Sequence, residues 1–398
     1  MRLSEYFAEI AISLGMLLVT SLAVAAQEGG HKHARPELGT SAAFDSKGRL
    51  WITGKETVDG GAYVTLQVSE NLGKTWSVPK RVQQTPEPLA ADGEARPKLA
   101  FGTRDEIYIT YTKPLSKPYT GDVRFVRSTD GGKTFSEPVT VHANRDVITH
   151  RFDSISVDKG GRIYVTWIDK RDMEAANARG EKYAGAAVYY AVSDDAGKSF
   201  RGDYKIADHS CECCRIALAP SPQGGTIALW RHVFNGDTRD HALAELHADG
   251  KAPAVQRATF DEWKINACPH HGPSVAFTPD GRRHQVWFNV KQGEGGVFYA
   301  SAGPDGTLGQ PQRLGSEQAA HADLATEGNR VAIAWKQFDG KSTAVMMRLS
   351  DDGGRTWREA EVARTKGSSD QPRVTAGKPG IVLVWRTQGE GVQTVLLK

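Results

Sequence analysis

All four cysteines of this 398-residue chain fall in two short runs. One is Cys211-Glu-Cys213-Cys214-Arg215, and the other is Cys268-Pro-His270-His271-Gly-Pro273. Thiolates beside imidazoles form a donor set for copper(I) or zinc, copper being the softer match. Cys211, Cys213, Cys214, Cys268, His270 and His271 are therefore candidate metal ligands, although their spacing matches no zinc signature. Disulfides are an alternative: four cysteines allow three pairings, and such a bond contributes about 2–4 kcal/mol. Two bonds are hard to build here, because adjacent Cys213 and Cys214 barely reach the Cα separation of about 4.4–6.8 Å that a disulfide requires. Buried thiols with no bond to one another are the third possibility.

A second set of chemistry-bearing residues is cationic. Arg35, Arg96, Arg151, Arg215 and Arg373 stand in Arg35-Pro36, Arg96-Pro97, Arg151-Phe-Asp153, Cys214-Arg215 and Gln371-Pro-Arg373, each on the approach to a β-rich run. A guanidinium fork matches a carboxylate in bidentate fashion, so arginines that converge make an anion site. The structural alternative is that each one pairs with Asp153, Asp323 or backbone carbonyls.

Repeated elements must position both sets. Four segments read Ser-x-Asp/Asn-x-Gly-x-Thr/Ser-aromatic: Ser69 to Trp76, Ser128 to Phe135, Ser193 to Phe200 and Ser350 to Trp357. In each, Asn71, Asp130, Asp195 or Asp352 is placed to accept hydrogen bonds from the backbone that follows, and the glycine takes a positive φ. The first three starts are 59 and 65 residues apart, and the fourth lies 157 further on, about three repeats of roughly 52. A second repeat, a β-rich strand usually ending in an aromatic, recurs seven times around Trp51, Tyr108, Trp167, Trp230, Trp287, Trp335 and Trp385. Short strands with frequent turn signals argue for antiparallel sheets and against βαβ units. The tryptophans sit at strand positions that suit core packing.

The four boxes resemble the Asp-box of the sialidase-like (BNR repeat) β-propellers. The resemblance implies an all-β propeller of four-stranded antiparallel blades, usually six in the enzymes of that family; the repeats here count seven. The last repeat, Gln371 to Lys398, offers only three strands, so an N-terminal segment is expected to complete it. In a propeller the first strand of each blade lines the axis, which would bring both cysteine runs to one mouth of the channel on adjacent blades. His150, His209 and His321 occupy corresponding positions and would reach the same region. The resemblance also implies sialidase chemistry: an arginine triad for a sugar carboxylate, an aspartate acid/base and a tyrosine nucleophile. This chain departs from that pattern. It has Arg35-Pro36 and Arg96-Pro97 in place of an Arg-Ile-Pro motif, and no tyrosine follows Tyr299, which itself reads as a middle-strand residue.

Hydrophobic residues at 39% and charged residues at 24% are ordinary globular values, and a closed β fold of this length can be one domain, here residues 27–398. A net charge of +3 with both signs interspersed excludes an electrostatic nucleic-acid or anionic-membrane binder. Ile10 to Val24 carries no charge, and Ala23-Val-Ala25 fits small-x-small cleavage, so residues 1–26 read as a signal peptide. The stretch is shorter than the roughly 20 apolar residues of a membrane anchor. A periplasmic or secreted monomer is expected, holding a metal, a small molecule or a carbohydrate. Three functions stay open: a metal-associated binding protein, a glycoside hydrolase acting on an acidic sugar, and an assembly or adhesion propeller without chemistry.

Overall fold

The computed structural model describes residues 37–267, 269–291 and 293–398. The expected signal peptide, Arg35 and Cys268 lie outside the described residues. The rest forms seven antiparallel sheets, six of four strands and the last of three. Each sheet is built from strands consecutive in sequence, so every blade is a simple meander. The innermost strands are Ser41–Phe44, Lys98–Phe101, His150–Val157, Ala217–Pro220, Ser274–Phe277, Ala319–Glu327 and Arg373–Gly377. Each packs against the next, and Arg373–Gly377 packs against Ser41–Phe44, which closes the ring. The fold is a seven-bladed propeller.

Burial of the second strands explains the core. Ile163–Asp169 of blade 3 is buried along its whole length, because both of its faces meet neighbouring blades. Trp51, Trp167, Trp230, Trp287, Trp335 and Trp385 all lie on second strands and are all buried. They fill the spaces between blades, and none of these six indoles is open to stack on a ligand.

The Asp-boxes fold as their residue types require. In blade 2, Thr134 donates to Asp130 from its backbone nitrogen at 2.9 Å and from its hydroxyl at 2.6 Å. Gly132, at φ +83°, donates from its nitrogen to Ser128 Oγ at 2.9 Å. The same pattern recurs at Asn71, Asp195 and Asp352. The expected fourth strand of blade 7 falls outside the described residues. Closure rests instead on Leu50 and Ile52 against Val382 and Val384, with Thr394 Oγ1 donating to the Leu72 carbonyl at 2.7 Å. The polar stretch after Asp169 forms one short helix, Arg171–Ala178, on blade 3.

Candidate functional site

The Cys-x-Cys-Cys run links the outermost strand of blade 3, Arg201–Ser210, to the innermost strand of blade 4, Ala217–Pro220. Cys211 is anchored by its backbone nitrogen, which donates to the Arg231 carbonyl at 3.0 Å. Cys211, Cys213 and Cys214 are all buried, and their sulfurs form a triangle with edges of 3.8, 4.0 and 3.7 Å. A disulfide needs about 2.05 Å, so no two of the three are joined. A point equidistant from all three sulfurs lies at the mean edge divided by √3, about 2.2 Å, close to a zinc–thiolate bond of about 2.3 Å. The triangle is therefore of a size to receive one metal ion. The hydrogen bond that Cys214 donates to Cys211, helped by burial, holds its thiol well above the usual range, while Arg231 pulls it down. A metal ion would displace that proton.

The second cysteine-bearing run lies against the first, as adjacent blades require. Arg215 Nε donates to the Pro273 carbonyl at 2.9 Å. A Cβ on Gly272 would come within 2.2 Å of Arg215 Cγ and 2.9 Å of its backbone nitrogen, so only glycine permits this approach. His271 stacks on His321 at 4.3 Å between ring centroids and on Phe288 at 4.1 Å, whereas His270 points to the exposed surface. Burial pulls the His271 ring down to about 4, so it is neutral at physiological pH and able to coordinate. Five of the eighteen buried polar atoms without a hydrogen-bond partner among the described residues belong to this part of the chain: Trp230 Nε1, Arg231 Nε, His232 Nδ1, His241 Nε2 and His271 Nδ1. The three imidazole nitrogens could accept a metal, whereas the indole and guanidinium N–H groups only donate.

The arginines meet a different fate. Arg96, buried, places both terminal nitrogens on Asp370 at 2.7 Å each. Arg215 donates to Glu94 Oε2 at 3.0 Å and to the Ala322 carbonyl at 2.7 Å. Arg373 lies 3.3 Å from Asp323. Gln371 Oε1 accepts from Arg96 and Arg215 at 3.2 and 3.5 Å, and its amide nitrogen meets His321 Nδ1 at 3.0 Å. Residues from blades 4 to 7 and from the connection entering blade 2 thus interlock across the axis. Burial opposes ionisation of Glu94, yet Arg215, His321 and the Gly272 N–H outweigh it and hold the carboxyl at about 2. Lys98, pulled by burial to about 8, donates to the carbonyls of Glu94 and Arg96 at 3.0 and 2.9 Å. Arg96, Arg215 and Arg373 do converge, but protein carboxylates already face their forks.

Other expected residues lie elsewhere. Arg151 lies over the Phe152 ring, 5.2 Å from its centroid, while Asp153 accepts from Thr112 Oγ1 at 3.0 Å. Of His150, His209 and His321, only His321 reaches a cysteine-bearing run, through its stack on His271. His209 lies tilted against Tyr183, at 4.7 Å between ring centroids, and His150 stacks on His142 at 3.9 Å. That pair stands near Asp122 but is structural: His142 Nε2 accepts from the Val123 N–H at 3.1 Å, and Nδ1 meets the Asn144 carbonyl at 2.6 Å. Glu94 and Asp370 escape sequence reading because they sit in irregular connections; only the final fold brings Glu94 to Arg215, 121 residues away. Arg231 carries a weak signal, a charged residue directly after a core tryptophan.

No protein-family model and no curated protein sequence matches the chain. Among solved structures, polysaccharide lyase Uly1 shares the fold at a TM-score of 0.58 and 11% identity, over 92% of this chain and 91% of that one. An α-L-arabinofuranosidase from Fusarium graminearum, solved with an iminosugar inhibitor, gives 0.52 and 16%, over 79% and 92%. The NanB sialidase of Streptococcus pneumoniae aligns more loosely, at 0.47 and 10%, over 76% and 65%. At these identities the likeness establishes the propeller fold and nothing finer.

Proposed function

We propose that the protein is an exported propeller that holds one soft metal ion, copper(I) in preference to zinc, on Cys211, Cys213 and Cys214 beside the axial mouth. The observation that carries this reading is the buried sulfur triangle, with edges of 3.7–4.0 Å. Three thiolates suit copper(I), whereas a structural zinc site calls for four ligands. His271 and His321 stand on the neighbouring connections as neutral imidazoles, and neither ring groups with the three sulfurs; His270, exposed, would serve only at entry. The proposed compartment adds a physical argument. Outside the cytosol, thiols this close are exposed to oxidation to a disulfide, and a bound soft metal protects them. Titrating the reduced protein with copper(I) against a chromophoric chelator tests the reading. One equivalent should be withdrawn by the wild type and lost in Cys213→Ser. Failure of reduced protein to retain stoichiometric copper or zinc would remove the proposal.

A second reading is action on an acidic sugar at the same mouth. Its support is the company the fold keeps, a polysaccharide lyase and an arabinofuranosidase, together with the converging Arg96, Arg215 and Arg373. A substrate carboxylate would have to compete with Asp370, Glu94 and Asp323 for those forks. Turnover of a fluorogenic sialoside or uronide, abolished by Arg373→Ala, would establish this reading in place of the first. Inertness across acidic sugars would dismiss it.

A further inference from the structure

Cys211, Cys213 and Cys214 offer three donors and, among the described residues, no imidazole or carboxylate groups with them as a fourth. Their sulfurs are nearly equidistant, at 3.7, 3.8 and 4.0 Å. All three belong to one buried apolar cluster with Phe152, Ile168, Ile216 and Trp230. The cations nearest in the chain are committed to other groups. Lys170 pairs with Glu212, which stands between Cys211 and Cys213. Arg215, next after Cys214, pairs with Glu94. Arg231, whose carbonyl holds the Cys211 nitrogen, donates to the carbonyls of Arg239, His271 and Phe288 at 3.0, 3.2 and 2.5 Å, and to Asn289 Oδ1 at 3.0 Å. Asn289 in turn donates to Asp240 and Asp261 at 3.0 and 2.8 Å, so carboxylates stand behind that guanidinium.

Such a site constrains its cargo twice. The cargo must be satisfied by three sulfurs, and the complex should carry little charge, because a buried charge without a counter-ion is costly. Zinc fails the first requirement, since a structural zinc takes four ligands. Copper(I) meets it, but with three thiolates it leaves a net charge of −2 to bury. A trivalent metalloid meets both: it is soft, it bonds three sulfurs with a lone pair in place of a fourth ligand, and three thiolates make it neutral. We propose that the sulfur triangle also takes up arsenic(III) or antimony(III) as a neutral tris-thiolate. This rests on the metal reading above in that the same three thiols must be available. The step needs no oxidant or reductant. Arsenite, As(OH)3, exchanges three As–O bonds for three As–S bonds, each hydroxyl leaves as water with one thiol proton, and arsenic stays trivalent.

The test adds arsenite to the reduced full chain and to Cys211→Ser, Cys213→Ser and Cys214→Ser, with near-ultraviolet circular dichroism confirming each fold. Native mass spectrometry should show one arsenic per wild-type chain, with three hydrogens lost. In equilibrium dialysis each serine variant should lose more than the roughly 100-fold that supporting groups account for. Arsenic-edge X-ray absorption should show three sulfur neighbours and no oxygen. A serine variant that binds like the wild type, or an arsenic that keeps an oxygen beside two sulfurs, would mean a two-thiol site and overturns the inference. If the variants do not fold, the sulfur count in the wild type decides alone. Wild type that retains copper(I) but no arsenite would overturn the inference and leave the metal reading standing. Wild type that retains neither would overturn both.

Discussion

At the scale of single residues, the chemistry turns on three sulfurs in four consecutive positions. Cys211 and Cys214 are drawn to 3.7 Å, and Cys213 closes the triangle from between them. Replacing any of the three by serine should reduce copper(I) affinity by more than the 10–100-fold typical of supporting groups, with little change in thermal midpoint. Chelator competition and calorimetry on the same samples check both parts. The donor types were legible in the sequence, since no other part of the chain crowds cysteine and histidine so closely. Which histidines belong was not legible. His150, His209 and His321 occupy matching repeat positions, but only His321 reaches His271, because His150 is held by His142 and Asn144.

At the scale of elements, the Asp-boxes show why repeats were the readable part of this chain. Each box closes within itself, so its residues dictate its shape without help from distant segments. Gly197, at φ +77°, donates to Ser193 Oγ at 2.9 Å, and a Cβ there would stand 2.5 Å from Phe125 Cζ. Gly197→Ala combines positive-φ strain with a clash and should destabilise the protein by about 1–3 kcal/mol, read as a lower urea midpoint with metal affinity intact. The connections between blades are the opposite case. Residues 82–97 form no repeat, and nothing local to Glu94 or Arg96 announces that both will be buried near the axis.

At the scale of the whole molecule, the axial network ties residues from five blades around one buried ion-pair cluster. Glu94→Gln removes the carboxylate but leaves Arg215 buried, at a cost of about 3–5 kcal/mol, and should lower the unfolding midpoint accordingly. Stability should also fall with acid in two windows. His271 and His232 titrate near 4 in the folded protein and near 6.5 unfolded, so the unfolded chain binds more protons as pH drops below about 6.5, and stability declines from there toward 4. Glu94, at about 2 folded against about 4.3 unfolded, contributes stability that is present above about 4.3 and is lost as pH falls toward 2. Urea midpoints across that range should show both declines, and Glu94→Gln should flatten only the lower one. The central claim is that the sulfur triangle is a metal shell. Copper-edge X-ray absorption on reduced protein loaded with one equivalent of copper(I) tests it most directly. About three sulfur neighbours near 2.2–2.3 Å are predicted, and a shell of nitrogen and oxygen alone, or copper lost on desalting, would contradict it.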